Sequence, residues 1–565
     1  MKKLVLLSTL FSLGLMNAQH YFGTEFVGES GINFLLTSSR TNNKIVMAGY
    51  VGGSLTGNFP ISFKGGNADG TLTSLSTTDG TIQWIKQFAS KLDDVVVDAT
   101  VDASGNYYLT GYFMGAGTNA FDADPGPAVY PLSVTSSFAN RDIFIIKLDS
   151  NGDFLWAKQM SSPSGAANDD VATIKLDSSG NIYLAGSYVY VDFDPGAGEQ
   201  IYTATGSSDA FVVKLDNDGN FIWVKTLNGT SSKKIMDMEI DSDNNIYVTG
   251  RYQGTIDLNP DATLTDVKTR VGGFDTFVAK YTPSGDYVWG HSYGGTGADI
   301  SEKILVHGNN VYVGGSFTGT VDLDPTSGTN SVTSAGGTDA YLSSFTKDGA
   351  YNSSFVIPGS TTNADNLRDF YIDDNGNFYL AGLFQNINIG GNNYTSSAAN
   401  SDVYYIKLNS DMNFSNIYLV KGSQAQDNPL IIPLDSIKFL GTGASKGTTS
   451  YDYTNPSNTS NPSTASYYSY ITKFDFEANP TLASNELSKK PKISIYPNPA
   501  KNDVNIKTDN RIKAVAIYNT EGRKVYTAEK LELKNINVAM LPSGMYFLQT
   551  TDEKGNINQT KLIKN

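Results

Sequence analysis

The chain has no cysteine among its 565 residues, only three histidines, and just 17% charged side chains. Without thiols it can hold neither disulfides nor thiolate metal sites. A core of this size is stable without cross-links even outside the cell. The histidines are scattered: His20 near the N-terminus, His291 where other repeats carry Lys86, Lys158 or Lys225, and His307 in a tight turn. No two have the spacing of a metal pair, and neither HExxH nor G-x-S-x-G occurs. Long hydrophobic runs are missing as well. The longest, residues 4–15, lies behind Lys2 and Lys3 and ahead of Ala18. It is too short to span a bilayer and reads as a signal peptide over residues 1–18. Positive charge is also scarce, the net charge being −15. Residues 493–565 hold 11 Lys and Arg against 7 Asp and Glu, so a +4 tail follows a −19 body. A body that acidic repels nucleic acid and anionic membrane surfaces, so neither is expected as a partner.

What the chain has in quantity is turn and strand chemistry: 55 glycines and 12% aromatics. Residues 209–250 contain four short apolar segments, AFVVKL, FIWVKTL, IMDMEI and NIYVTG, cut by D-x-x-G and D-x-x-N turns. Close copies start at Asp142, Asp275, Asp339 and Asp402, with blurred ones near Asp69 and Ser466. From Asp69 to Asp402 the spacings are 73, 67, 66, 64 and 63 residues, a period typical of repeat architectures. Asn43, Gly105, Gly180, Asn244, Asn309 and Gly376 recur at one turn position, where a left-handed backbone is expected. Each repeat therefore predicts two hairpins and four antiparallel strands, and about seven repeats predict an all-β, seven-bladed β-propeller. Trp84, Trp156, Trp223 and Trp289 share one place in the fourth strand, where inter-blade core is the expected role.

The last repeat supplies only three strands before a polar linker, residues 479–492. Phe22-x-x-x-Phe26-x-Gly28 copies Trp223-x-x-x-Leu227-x-Gly229. The N-terminal strand is thus expected to complete the seventh blade and remove an open sheet edge, in a propeller spanning residues 19–478. Here the repeat resembles a known family. D-A-F-V-V-K-L, the following D-x-x-G and the later D-x-x-G-N-I-Y-L-A-G are similar to the SBBP-type seven-bladed propeller repeat. That resemblance implies a fold and an extracytoplasmic habit, with no common activity.

The tail, residues 493–565, alternates short strands and turns as a small Ig-like β-sandwich would. Its wording is more specific. IYPNPA, IYNTEG, LPSGMYFLQ and a terminal KLIK resemble the type A sorting domain of type IX secretion substrates in Gram-negative bacteria. The resemblance implies passage through the periplasm, recognition by the type IX machinery, and a secreted or surface-attached product from which the tail is removed.

Four acidic turns lie between the second and third strands of successive repeats: Asp122 with Asp124, Asp192 with Asp194, Asp257 with Asn259, and Asp322 with Asp324, each pair followed by proline. Alternating carboxylates suit calcium, which takes six to eight oxygens. The same residues equally suit a turn in which Asp accepts from backbone N–H groups and Pro ends the pairing. Asp216-x-x-Gly219-x-x-x-Trp223 is longer than a sialidase Asp-box, and no pair of carboxylates is singled out for acid–base work. The expectation is a monomeric binding or adhesion module for a glycan or protein, without a required cofactor. A secreted polysaccharide hydrolase using loop-face carboxylates is the alternative.

Overall fold

The computed structural model describes residues 21–27, 33–41, 44–55, 58–134, 140–163, 168–359, 365–397, 400–435, 438–451, 459–460, 467–476, 493–508, 511–519, 523–529, 535–552 and 557–565. The stretches expected as signal peptide (1–18) and linker (479–492) lie outside them. The chain divides into two compact units, one spanning residues 19–478 and the other containing residues 479–565. The described residues are nearly all β.

The larger unit is a succession of seven antiparallel sheets, each with four main strands in meander order. Sheets are numbered I–VII here by their first strands: Asn33–Thr41, Val95–Val101, Asp170–Leu176, Lys233–Ile240, Ile300–His307, Asn366–Ile372 and Gln426–Pro433. The D-x-x-G turns set the strand spacing. In sheet III, Asp216 Oδ1 accepts the N–H groups of Asp218 and Asn220 at 2.9 and 2.8 Å, which fixes the turn before Phe221–Leu227. Left-handed backbone occurs at Gly105, Gly180, Asn244 and Gly376 as expected. In sheet V it falls on Gly308 and not on Asn309. There His307 pairs directly with Asn310, so a two-residue turn shifts the left-handed position by one.

Each tryptophan belongs to the apolar core between its own sheet and the next. The turn glycine of the following sheet sits on it. A Cβ on Gly349 would lie 2.8 Å from the Trp289 ring, and one on Gly219 3.1 Å from Trp156. The glycine of D-x-x-G is therefore required twice, once for the turn and once for the close approach of the neighbouring indole.

A second junction recurs between the same successive sheets. A repeat aspartate of the third strand (Asp69, Asp142, Asp209, Asp275, Asp339 or Asp402) is matched by a residue at the start of the next sheet (Asp94, Asp169, Lys233, Asp299, Asp365 or Gln426). The backbone repeats with it. Asp94, Lys233, Asp299, Asp365 and Gln426 each donate N–H to the carbonyl just before the preceding sheet's aspartate, at 2.7–3.1 Å. All twelve of these side chains are buried.

Sheet VII takes its outer strand from the other end of the unit. Tyr21–Val27 pairs antiparallel with Tyr468–Asp475, Phe26 opposite Tyr470. Sheet VII also packs against the first strand of sheet I.

In the smaller unit a three-stranded sheet (Ile493–Tyr496, Asp503–Thr508, Asn535–Asn537) and a four-stranded sheet (Lys524–Glu529, Ile512–Asn519, Gly544–Asp552, Ile557–Lys564) share one core around Val504, Ile517, Leu548 and Leu562. Two of the signature stretches are bonded to each other. Asn498 donates to the Lys561 carbonyl and accepts from the Ile563 N–H, both at 2.8 Å. Ala500 exchanges backbone bonds with Ile563 and Asn565.

Candidate functional site

The first strands of all seven sheets line one cavity of about 380 Å³. A bulge recurs in six of them, leaving Leu36, Val97, Ala172, Met236, Glu302 and Arg368 as the extra residues. All six line the cavity. A bulge re-aims side chains and bends a strand, and here it directs charge into the same space. The residue after the bulge ties neighbouring sheets together. Asp98 accepts from Ile174 N–H and Thr173 Oγ1 at 2.9 Å, Asp237 from Ile304 N–H at 3.0 Å, and Asp369 from Ile431 N–H at 3.0 Å.

The cavity charges are paired. Lys303 lies between Asp237 (3.7 Å) and Asp369 (3.8 Å), Lys175 against Glu239 (3.7 Å), and Arg368 against Glu302 (2.8 Å). Arg141 and Lys234 both reach Asp170, at 3.5 and 3.7 Å. Burial alone would depress Lys303, but the carboxylates of Asp237 and Asp369 outweigh it and hold the ammonium protonated well above its usual range. Each carboxylate named here is thus engaged by a cation or an N–H group. Such a lining can present polar and charged contacts to a ligand.

These residues were not singled out from the sequence, although a signal exists. V-D-A-T, M-D-M-E, S-E-K-I and L-R-D-F put charge at one repeat position inside strands that are otherwise apolar.

The acidic turns fall elsewhere. Asp122, Asp192 and Asp257 end the first strands of small extra hairpins, and Asp322 holds the same place in Asn310–Asp322. The four turns sit on sheets II, III, IV and V, one per sheet. Their chemistry is uniform. Asp192 Oδ1 accepts from the N–H groups of Asp194 and Gln200 at 3.0 and 2.7 Å, and Asp194 Oδ1 from Gly196 at 2.8 Å. The same bonds recur at Asp122 and Asp124, Asp257 and Asn259, and Asp322 and Asp324. Among the described residues no three acidic or histidine side chains form a metal-binding group. The hairpins also latch sheets together, since Asp122, Asp192 and Asp257 donate N–H to Ala89, Ser161 and Asn228 of the preceding sheet. His291 acts as the lysines at its repeat position do, reaching the next sheet's turn, with Nε2 2.7 Å from the Gly349 carbonyl.

Residues 494–565 match the secretion system C-terminal sorting domain. The protein is exported by type IX secretion. Its destination is the cell surface or the extracellular space, and the machinery that reads the tail is its partner in transit. No helix among the described residues is long and apolar enough to cross a membrane.

Two curated proteins match parts of the chain. An uncharacterised WD repeat-containing protein of Acanthamoeba polyphaga mimivirus is 27% identical over 146 residues, 24% of this chain and 10% of that protein. The regulatory protein FlaEY of Caulobacter vibrioides is 29% identical over 195 residues, 32% of this chain and 18% of that protein. The chain thus spans less than a fifth of the length of either. Among solved structures, a protein of unknown function from Dyadobacter fermentans aligns at 8% identity and TM-score 0.34, covering 81% of this chain and 99% of that one. The NanB sialidase of Streptococcus pneumoniae aligns at 9% identity and TM-score 0.33, covering 82% and 70%.

Proposed function

We propose that residues 19–478 form a closed seven-bladed propeller of the SBBP type that serves as an exported binding or adhesion module for a glycan or protein. The signal peptide (1–18), linker (479–492) and sorting domain (493–565) deliver it. Ring closure is supported by the cavity that all seven first strands share, and by the contact of sheet VII with sheet I. Deleting residues 19–28 should lower the thermal midpoint and promote association through the freed edge of Tyr468–Asp475. An unchanged midpoint would count against closure.

The observation that carries the binding role is the hairpin rim. At the ends of the strands opposite the tight turns, successive sheets present connections that differ in sequence but are latched alike. They carry exposed apolar side chains, Val129, Tyr130, Ile201, Leu264, Val267 and Val271. Variable loops on a rigid scaffold are where recognition concentrates. A glycan array probed with the mature protein tests this reading. Binding that weakens in a Tyr130→Ala, Leu264→Ala double variant supports it. Release of reducing ends from a polysaccharide panel, without retention, would favour a hydrolase instead.

A further inference from the structure

In four of the inter-sheet junctions both facing residues are aspartates: Asp69 with Asp94, Asp142 with Asp169, Asp275 with Asp299, and Asp339 with Asp365. A junction holding two ionised carboxylates away from water is untenable unless something positive lies between them. The third junction shows what that something can be. Lys233 stands where the others have their second aspartate, and its Nζ lies 2.6 Å from Asp209 Oδ1, with both side chains fully buried. A second oxygen, the Ser231 carbonyl, is 3.2 Å from the ammonium. At this junction the chain supplies its own cation.

Three of the two-aspartate junctions keep a buried carboxylate oxygen without a hydrogen-bond partner, and at Asp275 and Asp299 every oxygen accepts an N–H group. In the fifth, Asp339 and Asp365 are 1% and 0% exposed. One oxygen of each is used: Asp339 Oδ2 accepts the Ala335 N–H at 3.1 Å and Asp365 Oδ1 the Gln385 N–H at 2.7 Å. The other two, Asp339 Oδ1 and Asp365 Oδ2, are buried without a hydrogen-bond partner. Both lie beside Gly359, 2.7 and 2.5 Å from the position a Cβ there would take, with the Asn386 carbonyl 3.6 Å from it. Asp69 Oδ1 and Asp169 Oδ2 are unpartnered in the same way at the first and second junctions. The acidic turns differ, because none of their carboxylate oxygens is buried without a partner.

We propose that the two-aspartate junctions with a buried unpartnered oxygen, the fifth above all, are sites for a hard divalent cation of the calcium class, held between the facing carboxylates and binding neighbouring sheets together. A charge of two neutralises the pair, and the donors on offer, carboxylate and carbonyl oxygen, are those calcium takes. Burial, reinforced by the facing Asp339, pushes Asp365 up to about 7 without a cation, the mark of a pair that needs a counter-charge.

The test is calorimetric titration of the full mature chain with CaCl₂ at pH 8 after chelator treatment, with MgCl₂ and KCl as parallel arms and thermal midpoints read alongside. Calcium should bind at up to three per chain and raise the midpoint with concentration. Asp339→Asn with Asp365→Asn, which makes that junction neutral, should fold and lose one equivalent. Lys233→Asp should gain one; should that variant fail to fold, the asparagine pair carries the test alone. A midpoint indifferent to calcium and magnesium but rising as the pH falls would overturn the proposal in favour of a shared proton. A response to potassium alone would overturn the divalent assignment. Calcium binding lost in Asp192→Ala with Asp194→Ala, and kept in the asparagine pair, would move the cation to the acidic turns.

Discussion

Asp192 and Asp169 belong to the same sheet, and their carboxylates meet opposite surroundings. Asp192 is partly exposed and accepts two backbone N–H groups on one oxygen, so its charge is welcome where it stands. Asp169 is buried beside Asp142; it accepts the Val189 N–H at 2.9 Å on Oδ1, while Oδ2 has no partner. Burial, then the negative charge of Asp142, pushes it up to about 7. One repeat thus uses the same side chain as a turn former in contact with water and as a buried inter-sheet element whose negative charge is unfavourable where it stands. Burial separates the two roles, and the residue type does not.

The sharpest way to break this contrast is at the junction that carries its own cation. Asp209→Ala strands the Lys233 ammonium in a dry interior, and breaking a buried pair from one side costs about 3–5 kcal/mol. Urea unfolding should show a loss of that order. Lys233→Met with Asp209→Leu, which removes both charges, should cost far less or nothing.

The pH dependence comes next. In chelator-treated protein Asp94, Asp169 and Asp365 sit at about 7, and Asp142 and Asp299 at about 6, chiefly through burial. Unfolded, each returns to the ordinary aspartate value of about 3.9. The folded chain therefore binds more protons between these limits, and stability rises as the pH falls from 8 towards 5. Thermal midpoints across that range check the sign. Asp94→Asn with Asp365→Asn should flatten the curve, and a midpoint that falls steadily on acidification would refute the assignment.

The smallest effect belongs to the turns. Asp192→Ala should cost about 1 kcal/mol, the ordinary worth of hydrogen bonds from backbone to side chain at a surface. It should leave the pH curve of the double-aspartate junctions unchanged. A larger loss would mean that the latch between sheets II and III depends on that turn.

Much of the fold was legible in the chain because it rests on local chemistry. D-x-x-G turns, alternating apolar strands and a fixed period give four strands per repeat, and the Phe22–Phe26 pattern pointed to the strand that pairs with Tyr468–Asp475. Turn position could be read only to within one residue where a turn had shortened, as Gly308 shows. The site was much less legible. Asp209 and its copies served as markers of the repeat, because nothing in a single repeat says that each faces a residue from the next sheet. The cavity charges, such as Asp237 and Lys303, come from strands far apart in sequence, and only the bulges aim them at a common space. The acidic turns drew attention because their chemistry lies within one short stretch, the kind of pattern a linear reading finds first.

The pairing of Tyr21–Val27 with Tyr468–Asp475 also orders events in time. A chain made from its N-terminus presents that strand first and its partner hundreds of residues later. Until the partner arrives, the strand has no neighbour in its own sheet, and sheet VII stays incomplete. Contacts between residues so distant in sequence form slowly, since the intervening loop must be closed before they contribute. The larger unit therefore stays unfinished, with a bare sheet edge, throughout its synthesis and for as long as its two ends are kept apart during transport.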